Sequence, residues 1–386
     1  MTTLPAAAWT AREDLAALVT ALGVDNVRWV GGAVRDTLLG HAVKDIDAAT
    51  TLTPDAVVAA CDAVGLRTVP TGIAHGTVTV LLPGGPVEVT TLRHDVSTDG
   101  RRATVAFASD WQDDAARRDF TINALYVHPD TLDIDDWFGG LADLAERRVR
   151  FIGDARQRIR EDHLRILRYF RFQARFGSVV DAEAEAACAE LAATLKGLSR
   201  ERVAMELLAI LSLPDPLATV QRMDSLGVLA MVLPEATLAE LPALVAHEAE
   251  CHAAPAPLRR MAALLPADTP LVDRVAARLK LSTAQRKHLA VLATRASGDA
   301  RALAYHHGVD AARDLTLLAG KDPAPLAGWT APELPLKGGE IVQKGVGAGP
   351  LVAKILRAVE ARWVAEGFPD RNRVETLLTE ELAAFL

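Results

Sequence analysis

The hydrophobic period of this chain changes once, near residue 154, and that change limits the folds open to it. Before it, short β-rich runs at Val27–Val30, Asp45–Ala48, Thr77–Leu82, Val87–Thr91 and Leu125–Val127 alternate with helical segments and with turns such as Pro83-Gly84-Gly85-Pro86. After it, Leu, Ala, Arg and Glu recur at helical spacing nearly to the C-terminus. A length of 386 residues exceeds what one hydrophobic core usually fills. The pattern predicts an α+β unit, a mixed sheet with helices, of about 150 residues followed by an all-helical remainder. An N-terminal helix over Ala11–Leu22, stopped by Gly23, precedes the first strand.

Chemistry concentrates in a few short segments. In Val30-Gly31-Gly32-Ala33-Val34-Arg35 a strand runs into two glycines and then a helix. Backbone N–H groups at such a turn approach an anion closely, and Arg35, about one turn in, reaches the same charge. Tight strand-to-helix turns also use glycine for steric reasons alone. Next comes Lys44-Asp45-Ile46-Asp47. Alternate strand side chains share a face, so Asp45 and Asp47 project together while Ile46 points to a core. Such a pair repels itself unless a divalent cation intervenes, and Mg²⁺ suits carboxylate and phosphate oxygens with few protein ligands. A solvated pair on an edge strand is the plain alternative. Glu88, on Val87–Thr91, would supply a third carboxylate or is a surface glutamate on an alternating strand.

In Ala116-Arg117-Arg118-Asp119-Phe120-Thr121-Ile122-Asn123, Arg118 suits a phosphate or the base-proximal side of a nucleotide. Asp119 and Asn123, four apart, would meet on one helical face near a ribose, although an ordinary capped helix reads the same. Arg160–Phe176 is predicted as one helix. Ile166, Leu167, Phe170 and Ala174 form its apolar side, Glu161, Asp162, Arg165, Arg168 and Arg175 the other, with Arg171 at the edge. Asp162 only accepts hydrogen bonds and Arg165 only donates them. One such pair fits the amino donor and ring-nitrogen acceptor of cytosine or adenine and mismatches uracil and guanine. The same spacing also describes an i, i+3 ion pair.

Gly31-Gly32-Ala33-Val34-Arg35-Asp36, Asp45-Ile46-Asp47, Arg117-Arg118-Asp119-Phe120-Thr121-Ile122-Asn123-Ala124 and Glu161-Asp162-His163-Leu164-Arg165-Ile166-Leu167-Arg168 occur in one order and spacing. Together they resemble the class II tRNA nucleotidyltransferase and bacterial poly(A) polymerase family over Val27 to Phe176. The resemblance implies a polymerase-β-like catalytic head over 1–150, a helical neck with a base-reading helix over 151–215, and a helical body and tail over 216–386 that hold tRNA. It implies Asp45 and Asp47 as metal ligands, Gly31, Gly32 and Arg35 at the triphosphate, and Arg118, Asp119 and Asn123 at sugar and phosphate. Asp162 and Arg165 would read the base, with Arg168 and Arg171 as further nucleotide contacts. Arg93–Ala106 resembles the family's flexible loop, which accompanies the switch from C to A addition. The implied reaction adds C, C and A from CTP and ATP to the tRNA acceptor end, releases pyrophosphate and needs no covalent enzyme intermediate. A poly(A) polymerase shares these motifs, and the chain's end at Leu386 without a strongly basic extension disfavours it.

The composition sets the boundary conditions. The net charge of −8 argues against a nucleic-acid partner only if the cations are spread evenly, and they are not. Ten arginines stand between Arg147 and Arg175 against Asp154, Glu161 and Asp162, which predicts a localised, salt-sensitive RNA footprint. Cys61, Cys188 and Cys251 are too scattered for a disulfide framework, and no apolar run is long enough to span a bilayer, so the chain reads as cytoplasmic. Lys344-Gly345-Val346-Gly347-Ala348-Gly349-Pro350 lacks the spacing of a phosphate loop and reads as an interhelical connection. The sequence leaves the oligomeric state open.

Overall fold

Val27, Trp29 and Val30 are all buried, as a strand covered on both faces requires. In the computed structural model, which describes residues 2–73, 76–98, 103–107 and 110–385, this strand lies inside the main sheet. The N-terminal helix α1 (Glu13–Leu22) ends at Gly23, whose φ of 85° favours glycine. Strand β1 (Val27–Val30) then leads through Gly31 into α2 (Gly32–Leu38). There follow β2 (Ile46–Thr50), α3 (Pro54–Ala63), β3 (Arg67–Gly72), β4 (Thr77–Leu82), β5 (Gly85–Thr91), β6 (Arg93–Thr98) and β7 (Ala103–Phe107). Helix α4 (Trp111–Ala116), β8 (Tyr126–Val127), β9 (Ile134–Asp135) and α5 (Gly140–Ala145) complete the α+β part.

Seven strands form one sheet in the order β3-β4-β5-β2-β1-β8-β9, and β6 and β7 form a separate two-stranded one. Strands β2 and β5 run parallel, which sets Asp47 opposite Glu88. The other neighbours in the large sheet are antiparallel. The stretch Arg93–Ala106, expected as a loop, is largely the β6–β7 hairpin, and residues 99–102 lie outside the described residues.

Two sequence expectations fail locally. Asp119 and Asn123 share no helix: Asp119 lies outside any, and Asn123 ends a single 3-10 turn over Thr121–Asn123. Phe120 is extended, with φ −122° and ψ 146°, and the backbone pairs instead with the segment leading to the next helices, through Thr121 N–H to Arg150 O and Ile152 N–H to Asp119 O. The helix expected over 160–176 is two helices, α6 (Ala155–Glu161) and α7 (Arg165–Phe176). Asp162 sits between them in an extended conformation, and its carboxylate accepts from Leu164 N–H at 3.1 Å. Such a local bond offers the backbone an alternative to the helical ladder.

Helices α8 (Ala182–Leu191), α9 (Arg200–Leu211), α10 (Leu217–Ser225) and α11 (Val228–Val232) follow. The chain divides into two compact units, Met1–Pro234 and Glu235–Leu386. Within the first, α7 is fixed by aromatic packing. The fully buried Phe120 lies 5.3 Å from Phe172, 4.9 Å from Phe151 and 6.4 Å from Tyr169 between ring centroids. Buried rings of this kind contribute about 2–3 kcal/mol each.

The second unit is helical throughout its regular structure. Ile355, Val359, Trp363, Val374 and Leu377 form one core, and a buried ionic cluster occupies another part. Glu248, 2% exposed, accepts from Arg259 at 2.6 Å and from Arg260 at 2.8 Å, and Arg259 also donates to Asp314 at 2.7 Å. Removing the central charge leaves two buried guanidiniums under-compensated. Glu248→Gln is therefore expected to destabilise the chain by about 3–5 kcal/mol in urea unfolding followed by circular dichroism, and a loss below about 1 kcal/mol would show that the cluster relaxes freely.

Candidate active site

The Gly31-Gly32 turn stands at the end of β1, beside the carboxylates of β2 and β5. Gly31 has φ 70° and ψ −127°, a conformation that a side chain strains. A Cβ there would lie 3.4 Å from Asp47 Oδ2 and 3.7 Å from Arg118 Nη1. Glycine thus leaves a cradle with an anion on one side and a cation on the other. Asp47 is half-buried and Glu88 exposed. Burial, then the facing Glu88, pushes the Asp47 carboxyl above its usual range, with Arg118 opposing. Asp45 lies one residue before β2 and is exposed, and its charge adds to that of Glu88 in raising the Asp47 carboxyl.

These groups open into a cleft of about 520 Å³. Gly31, Gly32, Asp47 and Glu88 line it, together with Arg35, Arg93, Arg117, Arg118, Arg165, Arg168, Arg171, Asp119, Asn123 and Asp162. Asp45 is not among its lining residues. Seven arginines against four carboxylates make the lining cationic, as a triphosphate requires.

The residues after α4 are tied together by hydrogen bonds. Asn123 accepts from Arg35 Nη1 at 2.6 Å and donates to Asp119 Oδ1 at 3.0 Å. Asp119 Oδ2 accepts from Arg168 Nε on α7 at 2.8 Å. Burial works against the Asp119 charge, but Arg168 and the Asn123 amide win and hold its carboxyl at about 2. Arg35 is 5% exposed; its guanidinium pairs with Asp36 and stacks 4.3 Å from the Phe176 ring centroid. Asp36 in turn binds Arg175 at 3.1 Å, joining α2 to the end of α7. Arg118 Nε donates to Tyr126 Oη at 2.8 Å, and Tyr126 donates to Asp114. Asp114 also accepts from Arg117 Nε at 2.8 Å. Although burial opposes it, the Arg118 and Arg117 charges hold the Asp114 carboxyl below its ordinary value.

Asp162 and Arg165 both face the cleft, but each is held by a different element. Arg165 Nη1 donates to Glu161 at 2.7 Å and to Arg158 O at 2.9 Å, and Nη2 to Arg117 O at 3.0 Å. Asp162 Oδ2 accepts from Arg202 on α9 at 2.7 Å. One turn further along α9, Glu206 accepts from Arg171 at 2.6 Å and lies 3.8 Å from Arg168. Asp114, Tyr126, Arg202 and Glu206 were invisible to motif reasoning. Arg202 and Glu206, four apart, carry no more signal than the spacing of an ordinary helix-surface pair.

Residues 27–150 match the family described as poly A polymerase head domain, and 179–239 match the one described as probable RNA and SrmB-binding site of polymerase A. The mitochondrial CCA tRNA nucleotidyltransferase 1 of Mus musculus is 34% identical over 385 residues, 92% of this chain and 87% of that protein. This chain belongs to the CCA tRNA nucleotidyltransferase family. The human counterpart is 48% identical over 193 residues, 48% of this chain and 44% of that protein. A CCA-adding enzyme of Leuconostoc citreum is 43% identical over 180 residues, 46% and 43% respectively. Among solved structures, a Bacillus stearothermophilus CCA-adding enzyme in complex with CTP superposes with a TM-score of 0.76 at 26% identity, covering 96% of this chain and 98% of that one. No helix among the described residues of this nucleotidyltransferase is long and apolar enough to cross a membrane.

The low Asp119 value makes a signed prediction. Its folded value lies below the unfolded one, so its stabilisation is present at neutral pH and disappears as pH falls from about 4 toward 2. Asp119→Asn should cost about 2 kcal/mol at pH 7, and the gap to wild type should close at low pH in urea titrations. A gap independent of pH would contradict the assignment.

Proposed function

We propose that this chain adds C, C and A to the 3′ end of tRNA, taking CTP and ATP and releasing pyrophosphate. The observation that carries the reading is the 34% identity to a CCA tRNA nucleotidyltransferase across 92% of the chain, joined to a cationic cleft floored by Asp47 and Glu88. We divide the chain into a catalytic head over 1–150, a neck over 151–215 and a body and tail over 216–386. The head and neck bind the nucleotide, and the body and tail hold tRNA.

The residues fit a divalent cation. Burial and the charge of Glu88 both disfavour the ionised Asp47 carboxylate, which a cation beside it would offset, and the cradle over Gly31 has room for a phosphate oxygen between Asp47 and Arg118. Among the described residues no three His, Cys, Asp or Glu side chains form a ready-made metal cage. Mg²⁺ needs none, since it shares its coordination with phosphate and water. Asp45 and Asp47 would hold it, with Glu88 as the third carboxylate. When bound it supplies positive charge at the α-phosphate and lowers the pKa of the attacking hydroxyl.

The side chains do the positioning. Gly31 and Gly32 let the triphosphate approach the backbone, Arg118 and Arg171 face its charge, and Arg35 backs the turn while fixing Asn123. Asp119 and Asn123 border the sugar, and Arg168 closes that side from α7. Asp162 accepts from the amino group of cytosine or adenine, and Arg165 donates to the ring-nitrogen acceptor. Uracil and guanine would set donor against donor and acceptor against acceptor, at a cost of about 1–3 kcal/mol for each group left unpaired. We place the chain in the cytoplasm, because its three free cysteines suit a reducing compartment.

The deciding experiment supplies a tRNA ending at its discriminator base with each nucleoside triphosphate separately and together, followed by sequencing of the 3′ end. Ordered CCA addition is expected; a long A tract would make the chain a poly(A) polymerase. Asp47→Ala should reduce incorporation by roughly a thousandfold with an unchanged circular dichroism spectrum, and substantial turnover in that variant would remove Asp47 from the chemistry. Arg165→Ala should raise UTP incorporation relative to CTP by about tenfold. Unchanged rejection of UTP would refute the base-reading role.

A further inference from the structure

The cleft has a second polar surface that the nucleotide does not use. Thr90 lies two residues beyond Glu88 on β5, so both side chains share one face of the sheet. The antiparallel register of β4 sets Thr77 opposite Thr90, and their Oγ1 atoms are 3.0 Å apart. Arg93 follows at the start of β6, its backbone N–H donating to Asp114 Oδ1 at 3.1 Å. All three residues line the cleft beside Glu88. The triphosphate turn is at Gly31-Gly32, and the base-reading residues are at the start of α7 and just before it.

Building on the proposed function, we infer that Thr77, Thr90 and Arg93 seat the terminal nucleotide of the RNA being extended. Displacement at an α-phosphate is in line, with the attacking oxygen entering opposite the departing pyrophosphate. With the triphosphate on the Gly31-Gly32 side of Asp47, that oxygen enters from the side of Asp47 that faces Glu88, one strand over. The nucleotide that carries it therefore lies along β5 and β4. A pair of hydroxyls both donates and accepts, which suits the 2′-hydroxyl of the terminal ribose. A guanidinium suits the phosphate on the 5′ side of that ribose. Asp114 fixes the backbone of Arg93 and the side chains of Arg117 and Arg118, so one carboxylate sets the spacing between primer and nucleotide.

The test uses the full chain and two tRNAs that lack CCA, one ending in a ribonucleotide and one in a 2′-deoxynucleotide. Thr77→Val and Thr90→Val keep a β-branched side chain of similar shape. Each should raise the KM for the ribo-terminated tRNA about fivefold, while the Kd for CTP, measured by calorimetry without tRNA, stays within about twofold. The deoxy terminus should cost the wild type about the same factor and cost a variant carrying both Thr77→Val and Thr90→Val nothing more. Arg93→Gln should raise the KM for both tRNAs alike, by about tenfold. Wild-type KM values in the threonine variants, CTP binding that weakens in step with them, or an undiminished deoxy penalty would each overturn the primer seat. If the wild-type chain adds nothing to tRNA, the functional reading falls and the seat with it; if it adds CCA while the variants behave as wild type, only the seat falls.

Discussion

The Asp119 carboxylate joins the sheet to the helices, and the rest of the site depends on it. Through Asn123 it reaches Arg35 behind the glycine turn, and through Arg168 it reaches α7. The adjacent Phe120 packs on Phe172 and Tyr169 of the same helix. Two neighbouring residues thus dock α7 by different physics, one by charge and one by apolar burial. The apolar contact supplies attraction without direction, and the charged contact supplies direction. Together they set where the arginines of α7 stand over the carboxylates of the sheet.

The same logic governs the arginine-rich segment. Of the ten arginines between Arg147 and Arg175, eight form ion pairs with carboxylates: Arg148, Arg150, Arg156, Arg158, Arg165, Arg168, Arg171 and Arg175. What looks like an open polycationic stripe in one dimension is largely compensated in three. Many partners are remote in sequence, such as Asp36, Asp119 and Glu206, so the composition of the segment alone overstated its free charge. The cleft keeps its excess because several of these pairs sit at its wall and share a carboxylate, as Arg168 and Arg171 share Glu206.

Much of the fold was legible because it rests on local patterns. The buried Val27–Val30 run, the glycine turn and the change of period near residue 154 correspond to β1, the start of α2 and the passage into helices. The parallel pairing that brings Glu88 beside Asp47 rests on a long-range register that no short motif carries. The break at Asp162 was hidden for a different reason: a helical wheel assumes an unbroken ladder, whereas a side-chain bond to Leu164 N–H interrupts it. Asp45 was placed on the strand for the same kind of reason, since an alternation rule does not say where the strand begins. Arg202 and Glu206 lay beyond reach because their partners become neighbours only after α9 packs on α7.

The interrupted helix at Asp162 also bears on how a base is received. Arg165 already donates to Glu161 and two carbonyls, and Asp162 already accepts from Leu164 and Arg202. Under the base-reading role proposed for this pair, an arriving base that engages the guanidinium would trade places with those resident partners, so its gain would be a difference between two sets of hydrogen bonds rather than their sum. Such an exchange would lower the net gain from either base. A site of that kind would discriminate by mismatch rather than by depth of binding, which suits an enzyme that adds cytosine and then adenine to the same RNA end.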